Sequence, residues 1–421
     1  MGGTVTITME ELARRLRLAR EACGLKQEEV ARRLGISRPA VAQMEGGQRK
    51  VSSLELDRLA HLYGREIRDF LAPDFSERDA LTALFRRHSD LLSEDSAAEA
   101  LRKTTVVAQE LTNLEELLGL ERDFEGLPSY AYGRPRTKGE AVRQGEEMAI
   151  KERRRLELGS APIPSLATLL ENLGIRTAQL ALPDDISGLT LVDRGIGIFI
   201  AVNNREPQHS RWRRRFSYAH EYCHALVDRH LGGTVSRAAA RDELVEVRAN
   251  AFAAAFLMPE EGVRMFLHRL GKARGGRMEV ELYDEEGLQR VEVRPRPGSR
   301  SVRMHDVVLL AHHFGVSRLA ALFRLKSLRL VRVTEFEQLR AQEVSGIGRD
   351  IQTLLGFEEP EPEKARTEFR SRFLALAFEA FRREEITYGK LRDLVELVGV
   401  SKENMDAVVL HLSKNDRIFR K

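Results

Sequence analysis

Cysteine is nearly absent: Cys23 and Cys223 are the only two in 421 residues. Two cannot build a disulfide framework, and such usage fits a reducing cytoplasm. Long apolar runs are also missing. Stretches such as 307–311 and 251–258 fall far short of the ~20 residues that cross a bilayer. The N-terminal residues lack the apolar h-region of a signal peptide, so the expected location is cytoplasmic, with no membrane partner. Neither charge dominates: 68 Lys and Arg stand against 64 Asp and Glu, a net charge of +4. Of those cations 56 are arginine and 12 lysine. That bias suits phosphate contacts and ion-pair networks, and equally follows from a GC-rich genome, so only local clusters can argue for nucleic acid. A hydrophobic fraction of 42% with 31% charged residues describes a globular chain, long enough for two to four domains.

The chemistry is concentrated in one run. Arg213-Arg214-Arg215-Phe216-Ser217-Tyr218-Ala219-His220-Glu221-Tyr222-Cys223-His224-Ala225-Leu226 reads as helix and holds a His-Glu-x-x-His motif. Histidines four apart share a helix face and can reach one metal ion, and Glu221 can then act as general base on its water. Catalytic zinc takes three protein ligands and keeps a fourth position open. The helix expected over 243–258 carries Glu243, Glu246 and Asn250 on one face. Glu246 is the expected third ligand with Glu243 in reserve, and Asn250 suits a role holding a ligand in place. Such donors take Zn2+ and also accept Mn2+.

The segments before this motif read as a helix from the Thr137-x-x-Glu140 cap to about 158, then a short helix over 165–173. The basic run Lys151-Glu152-Arg153-Arg154-Arg155 on the first reads as a solvated face. Strands follow at 186–192 and 197–203, a hairpin turned at Asp193-Arg194-Gly195, whose edge suits an extended peptide added as a strand. With these pieces the chain from Ala141 to Pro259 resembles the ImmA/IrrE family of bacterial metallopeptidases. The resemblance runs through Ile186-Ser187-Gly188, Val202-Asn203, Arg214-Arg215-Phe216, Ala219-His220-Glu221, His224, Glu246, Ala249-Asn250, Phe252-Ala253 and Phe256-Leu257-Met258-Pro259. It implies a zincin-like domain with a small sheet, metal on His220, His224 and Glu246, and catalysis by Glu221. It also implies site-specific cleavage of a helix-turn-helix repressor, which switches on stress or mobile-element genes. Tyr222-Cys223 departs from the Leu-Gly more usual there. Cys223 reads either as a redox or thiophilic-metal sensor or as a small residue packed under the helix. Tyr218, His209 and His230 are candidates for stabilising an oxyanion, and Asp228 and His230 read as a solvated helix end.

Residues 8–65 read as short helices. Thr8-x-x-Glu11 and Ser52-x-x-Glu55 are capping boxes, Gly35-Ile36-Ser37 is a tight turn, and Pro39 sits in the first turn of the helix over 38–45. Two helices around a Gly-containing turn, the second exposing Arg38 and Gln43, form a helix-turn-helix pattern. Residues 16–64 resemble the Xre-type, lambda-repressor-like domain through Gln27, Ala31, Gly35, Ser37, Val41, Glu45, Gly47, Arg49 and Leu59. The resemblance implies base-edge contacts from Arg38 and Gln43 at the helix that Ser37 opens. It also implies phosphate contacts from Gln27, Arg49 and Lys50, a double-stranded operator, and a homodimer reading a palindrome.

The whole reads as mainly α with a small β-sheet, an α+β chain. Its parts are an all-α helix-turn-helix bundle at 1–70 and a helical linker at 71–128, with helices over 78–92 and 97–120. The stripe of Leu101, Ala108, Leu111, Leu114, Leu117 and Leu118 in the linker suits dimerisation or plain packing. A metallopeptidase-like domain spans 129–272. A β-hairpin insertion and a second helix-turn-helix-like segment occupy 273–330, and a helical C-terminal domain covers 331–421. Two functions fit. One is a DNA-binding regulator that cleaves a repressor, an antitoxin-like partner or itself by a metal-activated water. The other is a non-proteolytic repressor or antitoxin whose peptidase-like domain senses a ligand or holds a protein such as a toxin.

Overall fold

The computed structural model describes residues 7–63, 65, 67–72, 75, 84, 95–120, 126–193, 195–205, 211–240, 242–272, 278–284, 287–293, 301–357 and 362–400. The predicted helix over 78–92, apart from Leu84, and the last helix from 401 lie outside these residues.

Helices α1 (Met9–Ala22), α2 (Gln27–Leu34), α3 (Arg38–Glu45), α4 (Ser53–Tyr63) and α5 (Ile67–Leu71) make the N-terminal bundle. Their starts follow the predicted caps. Thr8 accepts the Glu11 N–H at 3.2 Å, Ser37 accepts that of Ala40, and Ser52 and Glu55 cap each other. Each cap satisfies a donor that the first helical turn leaves open. Gly35, at φ 70, closes α2 in the left-handed conformation that the turn into α3 requires. Leu16, Ala19, Val30, Val41, Met44 and Leu59 fill the bundle's centre.

After α6 (Asp95–Leu117), the helices α7 (Lys138–Arg155) and α8 (Leu166–Asn172) lead into strands β1 (Arg176–Leu180), β2 (Ile186–Asp193) and β3 (Gly197–Asn203). The metal-motif helix α9 (Arg211–Val227) precedes β4 (Gly233–Arg237), α10 (Leu244–Leu257) and α11 (Glu260–Arg269). A detached hairpin follows, β5 (Met278–Asp284) with β6 (Gly287–Val293). The helices α12 (Met304–Phe314), α13 (Arg318–Ser327), α14 (Val333–Val344), α15 (Ile347–Leu354), α16 (Pro362–Arg382) and α17 (Tyr388–Leu397) complete the described chain. Among the described residues no single helix is long and apolar enough to cross a membrane.

The main sheet has the order β1-β3-β2-β4, with β1 parallel to β3 and the other pairs antiparallel. Every residue of β3 is buried. Because strand side chains alternate, Ile198, Ile200 and Val202 join the core that contains α9, while Phe199 and Ala201 join a second core with α6 and α16. The predicted hairpin is therefore buried on both faces. Because β1 pairs with β3 and β4 with β2, neither of its strands is an edge, so the expected addition of a peptide strand to the hairpin does not hold. Of the linker stripe, Leu101, Ala108, Leu111, Leu114 and Leu118 lie in this second core and so pack within the chain, while Leu117 is exposed. Polar ties fasten the layer: Arg176 to Glu115 at 2.7 Å, Arg372 to the Thr177 carbonyl at 2.7 Å, and Lys390 to Glu110 at 2.6 Å. The C-terminal helices, for which the sequence suggested no role, thus cover the back of the sheet.

One expectation about charge changes. In the run 151–155, Arg153 is buried and donates to the carbonyls of Phe256 (2.6 Å), Gly159 (2.9 Å) and Ala161 (2.6 Å). Glu152 is also buried, accepting from Tyr130 and Tyr222 at 2.8 and 2.5 Å. Only Lys151, Arg154 and Arg155 fit the solvated reading. The second helix-turn-helix-like segment, α12–α13, is a packing element. Ala321, Leu322 and Leu325 are buried, and Arg324 reaches the Met258 carbonyl at 3.0 Å and Glu146 at 2.6 Å.

α7 lies along α10 at a glycine. A Cβ on Gly145 would meet the Arg248 carbonyl oxygen and stand 2.8 Å from the Phe252 nitrogen. Helix preference favours Ala over Gly by about 0.5–1 kcal/mol, but contacts with backbone cannot rotate away. Gly145→Ala is therefore expected to destabilise the chain by about 1–3 kcal/mol, the usual cost of overpacking. Thermal and urea unfolding check this; an unchanged or raised midpoint would show that the two helices do not need this approach.

Candidate metal centre

His220 and His224 lie one turn apart on α9, and α10 brings Glu246 between them. His220 Nε2 is 3.1 Å from Glu246 Oε2, His224 Nε2 is 3.3 Å from Glu246 Oε1, and the two Nε2 atoms are 3.2 Å apart. All three residues are buried, and they form a group able to hold a metal ion. A tetrahedral ion with bonds of about 2.0–2.1 Å sets neighbouring donors roughly 3.3 Å apart, so the spacing fits. The donor set fits as well, since two imidazoles and one carboxylate suit a divalent ion. Glu243, the reserve ligand, precedes α10 at its N-cap, is exposed, and does not join the group.

The outer nitrogens are engaged too. His220 Nδ1 is 3.0 Å from Asn250 Oδ1, and His224 Nδ1 is 2.8 Å from Asp228 Oδ2. The expectation of a solvated end at Asp228 is corrected here: the residue is buried and paired with Arg248 at 2.7 Å. His230, just beyond, is exposed. Tyr218 donates its hydroxyl to the Ala178 carbonyl at 3.1 Å, which commits it to β1. His209 lies outside the described residues.

Glu221 is fully buried and points to the sheet. Ser236 donates to its Oε1 at 2.5 Å and Thr190 to its Oε2 at 2.8 Å. Gly188 makes room: a Cβ there would stand 2.9 Å from Glu221 Oε1. Thr190, Ser236 and Arg248 had no signal in the sequence, because their partners come from register and helix packing. Cys223 has no exposed surface, and burial raises its thiol above the usual range. Reactivity needs the thiolate, so this placement supports the packing reading over the sensor. Its neighbour Tyr222 ties α9 to α7 through Glu152.

Electrostatics follow from crowding three donors. Burial works against a charged His224, but its hydrogen bonds to Asp228 and Glu246 outweigh that and push its pKa up to about 10. Burial likewise opposes ionisation of Glu246, and the bonds to His220 and His224 prevail, holding it well below the usual carboxylate range. Burial raises Glu221, only partly offset by His224 and His220.

In the N-terminal bundle Arg38, Gln43 and Lys50 are exposed on and just after α3. Ser37 is spent on its cap. Gln27 donates to Glu45 at 2.9 Å, which also binds Arg20 at 2.6 Å, and Arg49 pairs with Glu55 at 2.7 Å. Both sit in internal ties in this structure.

Two stretches of the chain match known families. Residues 11–69 match the family model described as a helix-turn-helix domain. Residues 170–274 match the one described as an IrrE N-terminal-like domain. No curated protein matches the chain. The chain thus carries an Xre-like helix-turn-helix domain and an ImmA/IrrE-like peptidase domain, and is a DNA-binding regulator with a peptidase-like domain.

An ion on these ligands must displace the proton that a raised pKa keeps on His224. The sign is definite. In the metal-free protein the stabilising contribution of charged His224 is full below about 6.5 and is lost as pH rises through about 10. Metal binding gains over that same rise. Apparent zinc affinity is expected to increase from pH 6 to 8 by up to about tenfold per unit. Chelator competition measures it; a flat profile would mean that no proton is displaced.

Proposed function

We propose that the chain is a transcriptional regulator with a built-in metal-dependent endopeptidase. It hydrolyses a peptide bond in a regulatory protein, a repressor or antitoxin-like partner, or in itself. The observation that carries this reading is the buried His220-His224-Glu246 group with the buried carboxylate of Glu221 on the same helix. A module that only held a partner would gain nothing from burying a carboxylate at that position, since burial of a charge is costly.

When bound, a divalent ion, in our reading zinc with manganese as the substitute, supplies Lewis-acid polarisation and acidifies water. His220, His224 and Glu246 hold it, and Asn250 holds the His220 ring. Glu221 takes a proton from the attacking water and passes it to the leaving amine. Its raised pKa brings it toward the working range of a general base. Thr190 and Ser236 keep its carboxylate in one orientation.

The helix-turn-helix domain delivers this activity to a gene. Arg38 and Gln43 read base edges, while Lys50, with Arg49 and Gln27 after exchange of their internal partners, meets phosphates. Two copies on two half-sites make the operator complex, in a cytoplasmic setting.

Two experiments test the halves separately. His220→Ala is expected to lose bound metal, whereas Glu221→Gln keeps it and loses at least ~10²-fold in cleavage, the usual contribution of a general base. Full metal occupancy in His220→Ala would sink the ligand assignment; normal cleavage by Glu221→Gln would sink the base. For DNA, binding of the full chain near its own gene is expected to fall steeply between 50 and 200 mM salt, and Lys50→Ala to lower the salt slope by about 1. Arg38→Ala costs about 1–3 kcal/mol on the preferred site. Salt-independent binding would count against the duplex reading.

A further inference from the structure

Asp228 and Arg248 are buried charges with no part in the roles assigned so far. Arg248 Nη2 donates to both carboxylate oxygens of Asp228, at 2.7 and 2.8 Å. The same Oδ2 faces His224 Nδ1 at 2.8 Å. Asp228 stands four residues beyond His224, and its N–H still bonds the His224 carbonyl at 2.8 Å, so helical geometry stacks the carboxylate on the imidazole. Arg248 stands between Glu246 and Asn250 on α10. α9 thus offers both histidines, with the aspartate just past its end, and α10 offers the third ligand, the asparagine and the arginine.

Resting on the metal-binding reading of the group, we propose that Asp228, clamped by Arg248, is the positioning residue that sets His224 for the ion. A neutral imidazole carries one proton. Donation from Nδ1–H to Asp228 places that proton on Nδ1 and leaves the Nε2 lone pair aimed at His220 and Glu246. An uncharged amide there could instead donate to Nδ1 and favour the opposite tautomer, with Nε2 protonated and unable to ligate. Arg248 does two things. It fixes both carboxylate oxygens, and it balances the charge, so the pair adds no net anion beside Glu246. His220 has only the neutral Asn250 behind it. The two histidines are therefore unequal, and the charged support belongs to His224.

A purely structural ion pair between α9 and α10 would change stability and leave metal affinity alone, which separates the two roles. In the full chain, Asp228→Asn is expected to weaken zinc binding by about 10–100-fold in chelator competition. The far-ultraviolet circular dichroism should be unchanged and the cobalt(II) absorption bands altered. Because a lone buried arginine can unfold a variant, the double change Asp228→Leu with Arg248→Met removes both charges together; the same loss of affinity is expected. Zinc affinity within about twofold of the wild type, in either variant once folded, would overturn the positioning role. His220→Ala is the reference. If the wild type binds zinc no better than His220→Ala, the metal reading itself fails. If the wild type binds, His220→Ala does not, and Asp228→Asn matches the wild type, only the role of Asp228 fails.

Discussion

Three buried atoms with unshared electron pairs cannot face one another unless something positive sits among them. His220 Nε2, His224 Nε2 and the carboxylate of Glu246 meet at 3.1 to 3.3 Å, and this constraint governs the middle of the molecule. A proton can serve, and the bonds to Asp228 and Glu246 that would hold it raise the pKa of His224 against its burial. A divalent cation serves better, because it satisfies all three donors at once. Holding donors this close requires α9 and α10 to keep a fixed separation. The supports behind the rings are Asn250 on α10 and Asp228 just past the end of α9. α7 braces α10 through the bare backbone of Gly145, and Tyr222 and Glu152 brace α7 against α9.

The sheet performs a different duty. One face of β3 lies in the α9 core and the other in a core shared with α6 and α16. The strands therefore need no solvent-facing polar alternation, and β3 reads as a continuous apolar run. That second core also contains Leu16, Val30 and Leu59 of the helix-turn-helix bundle, so the DNA-binding part and the peptidase-like part share packed side chains through the linker helix.

Much of this was legible in the residues. His220 and His224 stand out because residues four apart share a helix face. The period of the following helix set Glu243, Glu246 and Asn250 on one face without choosing among them, and helix packing brings only Glu246 and Asn250 to the histidines. Caps at Thr8, Ser37 and Ser52 and the turn at Gly35 placed the first helices closely. What stayed hidden depends on partners that sequence does not pair. Asp228 precedes an arginine and an exposed histidine and so looked solvated; only Arg248 on another helix makes its burial tolerable. Arg153 looked like one cation in a basic run because the carbonyls it caps belong to later segments. Thr190 and Ser236 meet Glu221 by strand register, and β4, which opens on Gly233 and has Val235 as its one apolar side chain, carries no alternation to find. The apolar stripe of the linker was visible, but a stripe does not name what covers it. The peptidase resemblance began at Ala141, whereas the family match begins at residue 170; the helix between them belongs to the same core through Met148 and Ala149.

The cover on the back of the sheet has a consequence for how the protein is made. Leu189, Leu191, Phe199 and Ala201 are synthesised well before Phe369 and Phe373, which belong to the same core. At about 5–20 residues per second, roughly 10–40 s pass on the ribosome between β3 and the end of α17. Through that interval the described residues of that core already made are those of the N-terminal bundle, the linker helix and the sheet. A chain cut short before α16 would lack Phe369, Phe373 and Ala377 from that core, and exposed apolar surface of this kind makes nascent chains prone to aggregation.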